Sequence, residues 1–184
     1  MVEPRGPAVR PLQRLTRIGV LAALALLFMF LEIRTFIFPD YLKYDPSEIP
    51  ALLGTFSLGP LAGVLIEAIK CVLYFLSPKN TTSWVGPLAN FIAGASYVFF
   101  AGLVYRARRT RGGAVAGLIV GALAMVIATA LANYFLLLGA WGIPVANRLP
   151  LILTVMVPFN LFKAAISGLL TFAIYKKVRT SLHL

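Results

Sequence analysis

The stretch Ile49-Pro-Ala-Leu-Leu-Gly-Thr-Phe-Ser-Leu58-Gly59-Pro60 decides how this chain is built. It is apolar and ends in a Gly-Pro break, yet 49–58 is too short to cross a hydrocarbon core of about 30 Å, which takes around 20 helical residues. Either it is a short span of its own, or it merges with 60–76 into one kinked crossing. On both sides lie runs long enough to cross alone, at 18–38, 84–105, 114–138 and 150–175. The 184 residues are 60% hydrophobic and only 12% charged, against roughly 25% charged in an average soluble domain. With a mean hydropathy of +0.88, the chain has a bilayer as its solvent and no room for a soluble domain.

Basic residues decide between the two readings, because Lys and Arg gather on the cytoplasmic side. Six spans with the N-terminus inside leave Arg5, Arg10, Arg14, Arg17, Arg106, Arg108, Arg109, Arg111, Lys176, Lys177 and Arg179 in the cytoplasm. Only Lys43, Lys79 and Arg148 stay outside, a count of eleven against three. Five spans give six against eight. The expectation is an all-α membrane protein of six transmembrane helices with both termini cytoplasmic. It would comprise a loose N-terminal arm (1–17), a membrane domain (18–175) and a short tail (176–184), as a multi-pass protein of the cell membrane. Tyr105 and Tyr175 before the basic clusters, and Trp84 and Trp141 beside outer loops, suit headgroup anchors. The first run ends in Leu31-Glu-Ile-Arg34 and not at a small-residue cleavage site, so it is read as retained.

Polar side chains inside a bilayer are costly and face protein or water. Here they share one half. Glu32, Arg34, Glu67, Lys70, Asn90, Asn133, Asn160 and Lys163 fall in the outer half or the middle, whereas the inner halves offer small and apolar groups with Ser96, Ser167 and Thr171. A cup open to the outside and sealed below is implied, not a pore. Glu67 and Lys70, three apart on one helix face, are read as neutralising each other. Asn160 and Lys163 share a face beside Pro158, with no acid nearby in sequence for the lysine, and are read as ligand contacts. Asn90 and Asn133 are either interhelical glue or further contacts. Amides that donate and accept, with one ammonium donor on an apolar wall, suit a flat heteroaromatic rim. A flavin has such a rim, and so do other vitamins. The loop 39–48, stiffened by Pro39 and Pro46, carries Tyr41, Leu42, Lys43, Tyr44 and Asp45 above the cup, either as a lid or as an ordinary connector.

Several classes are excluded. The +11 net charge lies at membrane boundaries, which argues against nucleic acid as a partner. There is no phosphate-binding G-x-x-x-x-G-K-[ST] loop. The single Cys71 and the single, terminal His183 leave no metal site, triad or resident cofactor to support an enzyme.

The segments Tyr44-Asp-Pro-Ser-Glu-Ile-Pro-Ala-Leu-Leu-Gly54, Leu58-Gly-Pro-Leu-Ala-Gly-Val-Leu-Ile-Glu-Ala-Ile-Lys70, Gly86-Pro-Leu-Ala-Asn-Phe-Ile-Ala-Gly94 and Asn160-Leu-Phe-Lys163, in this order on six spans, resemble the riboflavin-binding S components (RibU type) of energy-coupling factor (ECF) transporters. The resemblance covers residues from about 16 to 178. It implies capture of riboflavin from outside as transported ligand, not cofactor, and docking to a transmembrane T component carrying two ABC-type ATPases. By position, Asn133, Asn160 and Lys163 would hold the isoalloxazine edge, and the 39–48 loop would cover the ribityl chain. Rotation of the whole subunit would then deliver the ligand. Gly19 and Ala23 on the first span stand where the family presents small residues to the T component. An S component for thiamine or biotin, and a stand-alone secondary transporter, are the competing readings.

Overall fold

The computed structural model describes residues 11–181, with side chains as far as Tyr175. Residues 1–10 of the expected arm, with Arg5 and Arg10, lie outside the described residues. So do the side chains of the tail, including Lys176, Lys177, Arg179 and His183.

The described chain is helical apart from one hairpin. In order it runs α1 Pro11–Met29, β1 Ile33–Arg34, β2 Lys43–Tyr44, α2 Glu48–Leu58, α3 Pro60–Phe75, α4 Val85–Ala107, α5 Arg111–Ala140 and α6 Val145–Tyr175. Four helices, α1, α4, α5 and α6, are long and apolar enough to cross a membrane; α2 is the short apolar one. Large apolar side chains lie exposed along these helices, among them Leu65, Leu123, Ile127, Leu131 and Leu169. A water-soluble monomer does not expose so many, and lipid is the medium that accepts them.

Two limits of the first run differ from expectation. Helix α1 is already formed at Pro11, the first described residue, inside the segment read as a loose arm, and it stops at Met29, well before residue 38. Past Met29 the backbone leaves the helix, and the Lys79 ammonium donates to the Phe30 carbonyl at 2.5 Å. Ile33 and Arg34 then pair antiparallel with Tyr44 and Lys43. This hairpin replaces the outer end of the expected first span.

The break after α2 is sharp for a local reason. Gly59 has φ +101°, a region open to glycine and closed to most side chains, and Pro60 starts α3 immediately. Helices α4 and α5 are joined by a short turn in which the Thr110 hydroxyl accepts from the Gly113 N–H at 3.0 Å. From there Gly113, Gly117 and Gly121 lie along one buried face of α5. A Cβ on Gly117 would stand 2.7 Å from the Ala101 carbonyl oxygen, and one on Gly121 would stand 2.6 Å from that of Tyr97. Backbone therefore packs on backbone between α4 and α5, as small-residue repeats allow in membranes.

The main core joins all six helices around Ala25, Leu52, Ile66, Val98, Leu118 and Ala164. A smaller cluster of Leu138, Ile152 and Met156 lies at the hairpin end, with Leu42 packed against it.

Candidate functional site

At the hairpin end, α4, α5 and α6 enclose a cavity of about 170 Å³. Asn90 from α4, Asn133 from α5, and Asn160 and Lys163 from α6 meet on its wall, and Tyr41, Leu42 and Lys43 of the hairpin reach it from above. Phe159, Trp141 and Met156 supply its apolar surface.

The helices are locally reshaped to make this wall. On α5 the lining residues Thr129, Asn133, Leu137 and Trp141 recur every fourth position. In an ideal helix each such step drifts about 40° around the axis, since 3.6 residues complete a turn. The wider π turn at Asn133–Leu137 takes back part of that drift and keeps the row on one face. A second π turn, Ile152–Met156, precedes Pro158, Asn160 and Lys163. Such turns concentrate at functional sites. Asn133 donates one N–H to the Thr129 carbonyl and Asn160 donates one to the Met156 carbonyl, each at 2.8 Å. That anchors both amides while leaving a second N–H and a carbonyl oxygen for a guest.

Lys163 does not stand without an acid. Its ammonium lies 2.9 Å from Asp45 Oδ2 and 2.9 Å from Glu48 Oε1, partners far off in sequence. Lys70 pairs with Glu67 at 2.6 Å, as its spacing implied, donates to Ser47 Oγ at 2.8 Å and stands 3.9 Å from Glu48. Asn90 donates to Asp45 Oδ2 at 3.3 Å. Two lysines and three carboxylates thus share one buried network beneath the hairpin. Burial would raise the Asp45 carboxyl, but Lys163 and Lys70, with the Ser47 N–H, hold it below the usual carboxylate range.

The loop residues divide. Tyr41, Leu42 and Lys43 line the cavity, whereas Tyr44 and Asp45 turn into the bundle. Tyr44 is buried, 3.4 Å from the Ser167 hydroxyl and edge-on to Phe162. Lys43 also binds Glu32 at 2.5 Å, and the Tyr74 hydroxyl donates to Glu32 at 2.7 Å, so Glu32 is ion-paired beside the hairpin and not a cavity residue. Glu48 and Ser47 were not singled out by the sequence reading as partners of the lysines. Their only local signal is a Ser-Glu pair opening an apolar helix, which reads as an ordinary helix start. Gly19 and Ala23 lie exposed on α1, and a Cβ on Gly19 would meet nothing within 4 Å.

The opposite half is not a solid plug. Ser96 bonds back to the Ile92 carbonyl at 2.6 Å as expected, but Ser167 faces Tyr44, and a second cavity of about 400 Å³ opens near Arg106.

Compared with known proteins, residues 13–175 match the family model "ECF transporter, substrate-specific component". The chain is 33% identical over 172 residues to the riboflavin transporter RibU of Staphylococcus aureus, covering 90% of each. It is 31% identical over 175 residues to the riboflavin transporter FmnP of Bacillus subtilis, covering 91% of this chain and 92% of the relative. A solved S component of a bacterial ECF transporter superposes with TM-score 0.82 at 32% identity, over 94% of this chain and 99% of that one. The solved ThiT of Listeria monocytogenes superposes with TM-score 0.67 at 16% identity, over 90% of this chain and 94% of the other, a likeness of fold alone.

Proposed function

Since the chain belongs to the family of ECF transporter substrate-specific components, we propose that it is the riboflavin-capturing S subunit of a bacterial ECF transporter. It takes riboflavin from outside the cell and passes it inward with a T component and two ABC-type ATPases. In this reading α1 to α6 are six spans of the cytoplasmic membrane with both termini in the cytoplasm, which puts the three arginines Arg106, Arg108 and Arg109 inside and the hairpin outside.

The observation that carries the reading is the meeting of Asn90, Asn133, Asn160 and Lys163 on one cavity wall under Tyr41, Leu42 and Lys43. A flavin ring offers carbonyl oxygens and ring nitrogens along one edge, and anchored amides with one ammonium complement such an edge. Phe159 and Trp141 offer apolar faces to the ring, and the polar residues of the hairpin suit a polyol chain. The hairpin segment 39–48 acts as the lid, and Gly19 and Ala23 form the exposed small-residue face that meets the T component. The flavin is cargo, and the subunit itself carries no resident cofactor and no catalytic group.

Titration of the detergent-solubilised chain with riboflavin tests this through quenching of flavin fluorescence. Saturable one-to-one quenching, unaffected by excess thiamine or biotin, is expected. Displacement by either vitamin, or absence of saturation, would refute riboflavin as the ligand.

A further inference from the structure

The corner between α2 and α3 opens into the second cavity, about 400 Å³, at the far end of α4 from the hairpin. Three guanidinium groups line it: Arg14 from α1, Arg106 from the last turn of α4, and Arg109 just beyond. Arg14 is draped across the corner, donating to the Leu58 carbonyl at 3.3 Å. Among the described residues no carboxylate lines the cavity. Among the described residues the acids are Glu32, Asp40, Asp45, Glu48 and Glu67, all in the hairpin region or the lysine network at the other end.

A surplus of Arg at a membrane boundary has an ordinary cause in topology. What goes beyond it is convergence. Arg108 and Arg111, neighbours in sequence, do not line the cavity, while arginines from two separate helices do. The same cavity receives the first residues of α3, Pro60 and Leu61, the positive end of that helix. Thr55 is also on its wall, 1% exposed, with its hydroxyl turned onto Gly63 of α3, where a Cβ would stand 1.8 Å from it.

Forked guanidinium donors from two helices beside a helix N-terminus form a recognition set for a tetrahedral oxyanion. We propose that this cavity binds phosphate, presented either by an anionic lipid headgroup or as the free ion. The inference does not depend on what the outer cavity holds.

The test uses the full chain purified in detergent, with phosphatidylglycerol, phosphatidylcholine and inorganic phosphate as probes. Native mass spectrometry counts retained lipid, and the thermal midpoint reads phosphate binding. Arg106→Gln/Arg109→Gln should retain at least about fivefold less phosphatidylglycerol than wild type. Arg108→Gln/Arg111→Gln, which removes the same charge outside the cavity, should retain as much as wild type. Preferential retention of phosphatidylglycerol over phosphatidylcholine, lost only in the first pair, identifies a lipid phosphate. A midpoint raised by inorganic phosphate and lost only in the first pair, without lipid retention, identifies the free ion. Equal losses in both pairs, or no probe that separates the first pair from wild type, overturn the proposal. Should the first pair fail to elute as a folded species, Arg14→Gln on another helix carries the same expectation and the same refutation.

Discussion

Replacing Lys163 with methionine tests the buried network and the flavin site together. Its ammonium is 3% exposed and holds Asp45 and Glu48 at 2.9 Å each. Removing it leaves three carboxylates facing Lys70 alone. Breaking one partner out of a buried ion pair costs about 3–5 kcal/mol, whereas replacing all partners with neutral groups of similar shape costs little. Lys163→Met should therefore destabilise by about 3–5 kcal/mol, on the order of 10 °C in thermal midpoint for a domain of this size. Adding Asp45→Asn and Glu48→Gln should restore most of that, with Lys70 and Glu67 still paired at 2.6 Å. Riboflavin affinity behaves differently. If Lys163 donates to the flavin edge, affinity stays at least about tenfold low, near 1.4 kcal/mol, in the single and the compensated variant alike. The assays are thermal unfolding in detergent and fluorescence titration. A single variant as stable as wild type refutes the shared network, and a compensated variant with wild-type affinity refutes Lys163 as a ligand contact.

Asn133→Leu and Asn160→Leu should each lower riboflavin affinity about tenfold or more while leaving the thermal midpoint nearly unchanged, because each amide is tied only to its own helix; a large midpoint loss in the same titration series would mark them as structural. Ala23→Leu on the exposed face of α1 should spare flavin binding and reduce uptake by cells that express the coupling subunits; undiminished uptake would remove that face as the docking surface. The depressed Asp45 carboxyl gives a pH dependence of fixed sign. Its stabilising contribution is complete above the ordinary carboxylate range and disappears as acidification passes through its lowered folded-state value. Asp45→Asn should flatten the acid limb of a midpoint-against-pH curve, and an unchanged limb would assign that limb to another group.

The parts of the fold written in local pattern were readable. Gly59-Pro60 marks the α2–α3 break, and the apolar runs of α4, α5 and α6 locate their helices within a few residues. The end of α1 was not readable, since Glu32 and Arg34 are followed by the apolar Phe36-Ile-Phe38 with no Gly or Pro before Pro39. What ends the helix is supplied from afar, by Lys79 on the Phe30 carbonyl and by strand pairing with Lys43 and Tyr44. The site divides in the same way. Asn133, Asn160 and Lys163 stood out because amides and a lysine are rare in apolar helices. The acids that hold Lys163 did not, because its link to Asp45 spans 118 positions and ion pairs between distant segments leave no periodic trace. The π turn that keeps Thr129, Asn133 and Leu137 aligned adds a residue without any sequence marker.

The glycine seam brings the main chain of α5 at Gly117 and Gly121 against the Ala101 and Tyr97 carbonyls of α4, with the Tyr97 ring also against Gly121. Asn90 sits near one tip of α4 and Arg106 near the other, roughly 24 Å apart at 1.5 Å per residue. Arg106 lines one cavity and Asn90 the other, so the single helix α4 carries part of the wall of both.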